Sequence, residues 1–226
     1  MKKFKFYIGI PLTIILLLIC LWKLSLCIFT LSTKYPTKFR SWIFFAFQKE
    51  DSNTTKLRKD EVSLLNYDRR INQILGEIDK DKVSILVEKS KYRLTVYYDD
   101  RPVKAYPVVF GFNPVDDKLR EGDGCTPEGE FKISALYPHR SWRRFLLIDY
   151  PTDESWRKHL LAKREGRINQ DASIGGEIGI HGVPEGCDDL IDRKINWTLG
   201  CISLKNRDIE ELYQIVKIGT KVKIIH

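Results

Sequence analysis

For residues 82–226 the sequence predicts a mainly β domain, of sandwich or barrel type with a few short helices. Three observations predict it. Short runs rich in β-branched and aromatic residues recur from Val83 onward. Clusters of turn-forming residues separate them, among them Asp99-Asp100-Arg101-Pro102, Gly111-Phe112-Asn113-Pro114 and Glu121-Gly122-Asp123-Gly124. Strong helical periodicity is confined to one stretch near the C-terminus, residues 206–216.

The elements follow in order. Val83-Ser84-Ile85-Leu86-Val87 and residues 92–98 read as strands, joined to a third over residues 103–110 by the turn at Asp99. Residues 111–127 carry turn signals throughout and form a long loop beside the sheet. A strand is expected over residues 130–135 and another over 144–149. Residues 154–166 read as a short helix, and Ile178-Gly179-Ile180 as a brief strand leading into His181. In residues 206–216, Ile209, Leu212, Tyr213 and Val216 recur at helical spacing, with Asn206 as N-cap and Asp208 in the first turn. Gly219 ends that helix, and residues 221–225 form the last strand.

The chain is organised unevenly. Its formal net charge is +8, yet residues 1–80 hold 14 Lys/Arg against 7 Asp/Glu, and the remainder 24 against 23. The basic surplus therefore lies outside the predicted fold, which argues against a nucleic-acid-binding domain and suits a segment flanking anionic lipid. Lys2, Lys3 and Lys5 precede an uncharged apolar run over residues 6–22, and after Lys23 a second run reaches Leu31. With Lys23 snorkelling to an interface, residues 1–31 read as a membrane-anchor helix, in preference to a cleaved signal. Residues 32–81 read as a partly helical stalk, with an aromatic patch at Ser41-Trp42-Ile43-Phe44-Phe45-Ala46-Phe47 and helical spacing from Leu57 to Leu75 that Gly76 breaks.

Two stretches bring reactive groups next to glycines: Ile180-His181-Gly182 and Thr198-Leu199-Gly200-Cys201. A cysteine attacks a carbonyl as thiolate, and an imidazole can take its proton. The backbone N–H groups of Gly200 and Cys201 can form an oxyanion hole. Taken singly, a cysteine is more often an inert buried thiol and a histidine more often a structural residue. Asp188, Asp189, Asp192 or a backbone carbonyl can orient His181; the sequence does not choose among them. A zinc site of His181, Cys187 and Cys201 is disfavoured because the spacing matches no closed site, and no metal or other cofactor is expected.

These residues, with Ile202-Ser203-Leu204-Lys205-Asn206, resemble the catalytic domain of L,D-transpeptidases of the YkuD type, the cysteine enzymes that crosslink bacterial peptidoglycan. The likeness extends through the hairpin from Lys89, Phe110-Gly111-Phe112-Asn113-Pro114 and Thr126-Pro127-Glu128-Gly129-Glu130-Phe131, and covers residues 82–226. It implies Cys201 as nucleophile, His181 as general base, Gly182 orienting the imidazole, and Gly200 with Cys201 as oxyanion donors. The implied substrate is a peptidoglycan tetrapeptide stem, attacked at its third residue with release of D-Ala and passed to an amine, or to water in the carboxypeptidase and endopeptidase variants. An inactive wall-binding module is the reading from another class. The implied location is the bacterial cell envelope, with the domain in the periplasm or outside the cell. The family commonly has a second His where Leu199 stands and often an Arg where Ser203 stands. Thr198, Leu199, Ser203, His139 and Arg140 are the expected substrate-binding positions, with Arg140, Lys205 or Arg207 replacing the missing cation. Cys125 and Cys187 are candidates for a disulfide in an oxidising compartment.

Overall fold

The computed structural model describes residues 64–226. The expected anchor over residues 1–31 and the aromatic patch at 41–47 lie outside the described residues; among those described, no helix is long and apolar enough to cross a membrane. Eight strands follow in chain order: β1 (Val83–Glu88), β2 (Arg93–Tyr98), β3 (Arg101–Pro107), β4 (Gly129–His139), β5 (Arg143–Ile148), β6 (Gly179–His181), β7 (Ile202–Ser203) and β8 (Lys221–Ile225). The helices are α1 (Ile71–Leu75), α2 (Asp153–Arg164), α3 (Asp189–Asp192) and α4 (Asn206–Ile215).

The strands form one mixed sheet in the order β3-β2-β1-β8-β4-β5-β6-β7. β2 joins β1 and β3 as an antiparallel meander, and Asp99 and Asp100 make the turn from β2 to β3 with positive φ of 49° and 60°. Asx residues tolerate that left-handed conformation, which matches the twist of the flanking strands. β8 lies parallel to β1 and antiparallel to the first residues of β4. From Ile133 onward β4 pairs with β5 instead, after a register shift between Ile133 and Ala135. That bulge lets one long strand pass from one half of the sheet to the other and bends it there.

The two far edges then meet. Just after β3, Val109 bridges Ser203 of β7 through paired backbone hydrogen bonds of 3.0 and 2.8 Å. The expected sandwich or barrel is thus realised as a mainly β sheet curled on itself with few short helices. One apolar core fills it, drawn from β1, β2, β4, β5, β6 and β8. Strand alternation produces this: β8, Lys-Val-Lys-Ile-Ile, buries Val222 and Ile224 and exposes the residues between.

α4 lays Ile209, Leu212 and Ile215 into that core. Its N-cap position is Lys205, one residue before the expected Asn206. The reason is tertiary: Asp188 Oδ1 accepts the Asn206 N–H at 2.9 Å, so a distant carboxylate does the work of a local cap and Asn206 joins the first turn. α1 is a helix of five residues closed by Gly76 at φ 68°. The segment around it is strapped to the sheet and to α4. Ile71 is buried, Tyr67 donates to Asp208 at 2.8 Å, and the Ile71 N–H donates to Glu211 at 2.7 Å. Glu211 also takes the Tyr106 hydroxyl and the Lys104 ammonium, each at 2.8 Å.

Candidate active site

β6 and β7 lie side by side and parallel, with Ile180 opposite Ile202 and His181 opposite Ser203. Cys201 precedes Ile202. Since side chains alternate across a strand, Cys201, two residues before Ser203, projects to the same side as His181. Tertiary pairing therefore lays two segments that lie some twenty residues apart in the chain side by side. β7 is only two residues long because its pairing is limited to β6 and the Val109 bridge.

His181 is 1% exposed. Its Nδ1 lies 2.7 Å from the Gly182 carbonyl oxygen, which can only accept, so Nδ1 carries the proton and Nε2 holds the free lone pair. Aromatic rings enclose the imidazole. Trp142 stacks on it at 4.4 Å between centroids, Phe145 at 5.5 Å, and Trp197 meets it edge-on at 5.5 Å. This burial pushes the imidazole down to about 4, against the opposing Gly182 carbonyl. The indole nitrogens of Trp142 and Trp197 and the Asn206 Oδ1 are buried without hydrogen-bond partners, so none of the three hydrogen-bonds the imidazole.

Cys201 is half-buried, and its Sγ lies 3.6 Å from the Glu177 carbonyl oxygen. Burial pushes the thiol up to about 11, with the Gly179 backbone and the Lys118 charge working the other way. At neutral pH the pair is thus a neutral thiol and a neutral imidazole. No hydrogen bond joins them; the thiol is parked on Glu177.

The loop carrying Cys201 is held from inside. The Thr198 hydroxyl donates to the Cys201 carbonyl at 2.7 Å and accepts the Gly200 N–H at 3.2 Å. Gly200 has φ 141°, and a Cβ there would stand 2.6 Å from the Cys125 carbonyl oxygen. Only glycine allows that approach. Thr198 is thus a buried staple, and the Gly200 N–H is engaged within the loop. Ser203 is fully buried and donates to the Gly182 carbonyl at 3.3 Å. Leu199, by contrast, is 59% exposed at the loop tip. His139, at the end of β4, stacks on the outer face of Trp142 at 4.3 Å, and Arg140 beside it is exposed.

Of the orienting groups the sequence left open, the Gly182 carbonyl is the one against His181; Asp188 is spent on the Asn206 N–H. Cys125 is a free, buried thiol, so it does not pair with Cys187. Among the described residues no group of three or more His, Cys, Asp or Glu converges as a metal site. Sequence reasoning passed over Trp142, Phe145, Trp197, Glu177 and Lys118. The aromatics are apolar residues like any other until the fold wraps them round one imidazole, and Glu177 acts through its backbone, which leaves no signature in residue type.

Comparison with known proteins gives concordant matches. The model of the YkuD L,D-transpeptidase catalytic domain matches residues 82–224. YqjB of Bacillus subtilis is 25% identical over 144 residues, covering 62% of this chain and 69% of that protein. Among solved structures, the helical cell shape determining protein Pgp2 of Campylobacter jejuni is similar with a TM-score of 0.46 and 24% identity, over 68% of this chain and 53% of that one. Bd1075 of Bdellovibrio bacteriovorus is similar with a TM-score of 0.45 and 20% identity, over 64% and 48%. The chain thus spans about half the length of those solved proteins. The extent of the family match, which runs from the start of β1 into β8, places the chain in the YkuD family of L,D-transpeptidase catalytic domains.

Proposed function

We propose that this protein is a peptidoglycan L,D-transpeptidase of the bacterial cell envelope. The observation that supports the reading is the β6–β7 register, which lays the strand entered from Cys201 alongside the strand ending in His181, whose Nδ1 is committed to the Gly182 carbonyl. In this reading the thiol leaves the Glu177 carbonyl, turns to Nε2 of His181 and gives up its proton as it attacks the donor-stem carbonyl. The Cys201 N–H helps hold the oxyanion. The imidazolium then protonates the leaving D-Ala amine, and a thioester remains on Cys201. An amine from a second stem displaces the thiolate; in a carboxypeptidase, water does so.

The low basicity of His181 and the high pKa of Cys201 suit this sequence. Neither group is charged at rest, so in this reading the proton moves from thiol to imidazole as the sulfur bonds to the substrate carbonyl. Leu199, His139 and Arg140, exposed or half-buried around the cleft, are the donor-stem contacts in this proposal, and residues 1–31 anchor the domain to the membrane. Intact-mass measurement after incubation with tetrapeptide muropeptide or a carbapenem tests the proposal. Wild-type protein should gain an acyl adduct that maps to Cys201, and Cys201→Ala should gain none. Crosslinked dimer among the products marks amine transfer, and free tripeptide alone marks hydrolysis. Release of D-Ala by Cys201→Ala at the wild-type rate would sink cysteine catalysis altogether.

A further inference from the structure

Two polar cavities adjoin beside α2. The first, about 540 Å³, is lined by Trp156, His159 and Lys163 of that helix and by residues 172–177. The three helical residues stand at spacings of three and four and so share one face. The second cavity, also about 540 Å³, is lined by Arg120, Arg167, Asn169 and Asp171 among others. Glu121, Ala172 and Ser173 border both, so the two make one elongated groove.

Trp156 is 44% exposed, a large aromatic ring left in the wall of the groove. It stands perpendicular to the His159 ring, 5.7 Å between centroids. His159 is 1% exposed, and its Nδ1 lies 2.6 Å from the Leu119 carbonyl oxygen, so the indole is braced from inside. A carbonyl only accepts, so Nδ1 carries the proton and Nε2 is a bare acceptor, without a partner among the described residues yet not fully enclosed. The polar groups decide what such a groove takes. Three cations, Arg120, Lys163 and Arg167, are matched by three carboxylates, Glu121, Asp171 and Glu177. A polyanion needs a surplus of one sign and finds none here. Nor do the carboxylates converge as a metal site. No lining residue belongs to a strand, so an extended peptide meets no sheet edge to pair with. The chemistry that fits is a neutral ligand with donors and acceptors around an apolar face. A pyranose is such a ligand: its C–H face stacks on an aromatic ring while its hydroxyls radiate from the edge.

We propose that this groove is a glycan subsite, which takes a neutral oligosaccharide: the sugar chain of the wall polymer. One ring stacks on Trp156. Its hydroxyls donate to His159 Nε2 and to Glu121, whose carboxylate the Ser173 hydroxyl holds at 2.6 Å, and accept from Lys163. The chain continues into the second cavity, where Asn169 and Arg120 meet the next sugar. The identity of the polymer rests on the peptidoglycan reading above; the preference for sugar rests on the groove itself. The subsite holds the backbone of the polymer and takes no part in bond making.

The test titrates full-chain Cys201→Ala protein with N-acetylchitohexaose and, separately, with wall glycan strands stripped of their stem peptides. Calorimetry gives Kd, and NMR follows the Trp156 indole. Both ligands should bind saturably and shift that indole. Trp156→Ala should weaken Kd about tenfold, Trp156→Tyr, which keeps an aromatic face, should retain most of the affinity, and Asn169→Ala should weaken it severalfold. Stem tetrapeptide without sugar should leave the Trp156 indole unshifted. The proposal is overturned by a lack of saturable binding, by a Kd that Trp156→Ala leaves unchanged, or by displacement of the sugar by the tetrapeptide, which would make the groove a peptide site. Should Trp156→Ala fail to fold, the exposed Asn169→Ala decides in its place. The two readings fail separately. Sugar binding by a protein whose wild type forms no acyl adduct keeps the groove and sinks the transpeptidase; an adduct on Cys201 without sugar binding does the reverse.

Discussion

Ser203 donates its hydroxyl to the Gly182 carbonyl at 3.3 Å, and that carbonyl is the one that takes the Nδ1 proton of His181 at 2.7 Å. The residue that replaces an expected surface cation is thus a buried brace behind the histidine. Ser203→Ala removes one of the two donors and should cost about 1 kcal/mol of stability, read by urea unfolding. It should also lower kcat for acyl transfer severalfold with little change in KM. A variant altered in KM alone would return Ser203 to a substrate-binding role.

Gly182 sits where no side chain fits. A Cβ there would stand 2.4 Å from Asn206 Oδ1 and 2.8 Å from the Trp142 carbonyl oxygen. Both lie on segments that frame the imidazole. Gly182→Ala should destabilise the domain by about 1–3 kcal/mol or more and disturb the stacking on Trp142. Unchanged tryptophan fluorescence together with an unchanged unfolding midpoint would contradict this packing.

Burial holds His181 at about 4 in the folded protein, below its ordinary 6.5. The unfolded chain therefore takes up a proton that the folded one refuses as pH falls from about 6.5 to 4. Stability should decline through that window, by about 3 kcal/mol in total, and the decline from this group should level off below it. Urea unfolding at a series of pH values checks this against His181→Gln, which should lose that part of the slope. An identical slope in the variant refutes the assignment.

Both thiols are raised by burial, Cys201 to about 11 and Cys125 to about 12. At pH 8 the thiolate fraction of Cys201 should be roughly a hundredfold below that of an unperturbed cysteine. Iodoacetamide labelling should accelerate about tenfold per pH unit well past pH 9 and mark Cys201 while sparing Cys125, which is 2% exposed. Peptide mapping of the labelled folded protein decides it; fast labelling of Cys201 at neutral pH means that the resting thiol is already ionised.

Glu211 ties α4 to β3 and to the segment before β1. Lys104, its ion-pair partner, is 2% exposed. Glu211→Leu leaves that ammonium buried and unpaired and should cost about 3–5 kcal/mol. The double variant with Lys104→Met should recover most of the loss, and a thermal unfolding series on the four proteins measures it.

Much of the β framework was legible because local chemistry and fold agree there. The hairpin at Asp99-Asp100 needs residues that tolerate positive φ, and α4 carries one unbroken apolar stripe. The elements that the sequence hid are short and held by distant partners. β7 has two residues and exists through β6 and Val109, and α3 is a single turn. Likewise the helix start at Lys205 depends on a carboxylate seventeen residues away.

Residue type and spacing alone determined that this is a mainly β chain, that His181 and Cys201 each stand beside glycine, and that charge collects ahead of the fold. Those properties are local, so they survive in one dimension. The tertiary structure decided everything that depends on who meets whom. It laid the strand that follows Cys201 alongside the strand ending in His181 and chose a backbone carbonyl over three aspartates to hold the imidazole. It turned Ser203 and Thr198 inward, and it opened a polar cavity behind Glu177 with a second histidine in its wall. Burial and hydrogen-bond geometry are properties of neighbours in space, and the order of the chain does not contain them.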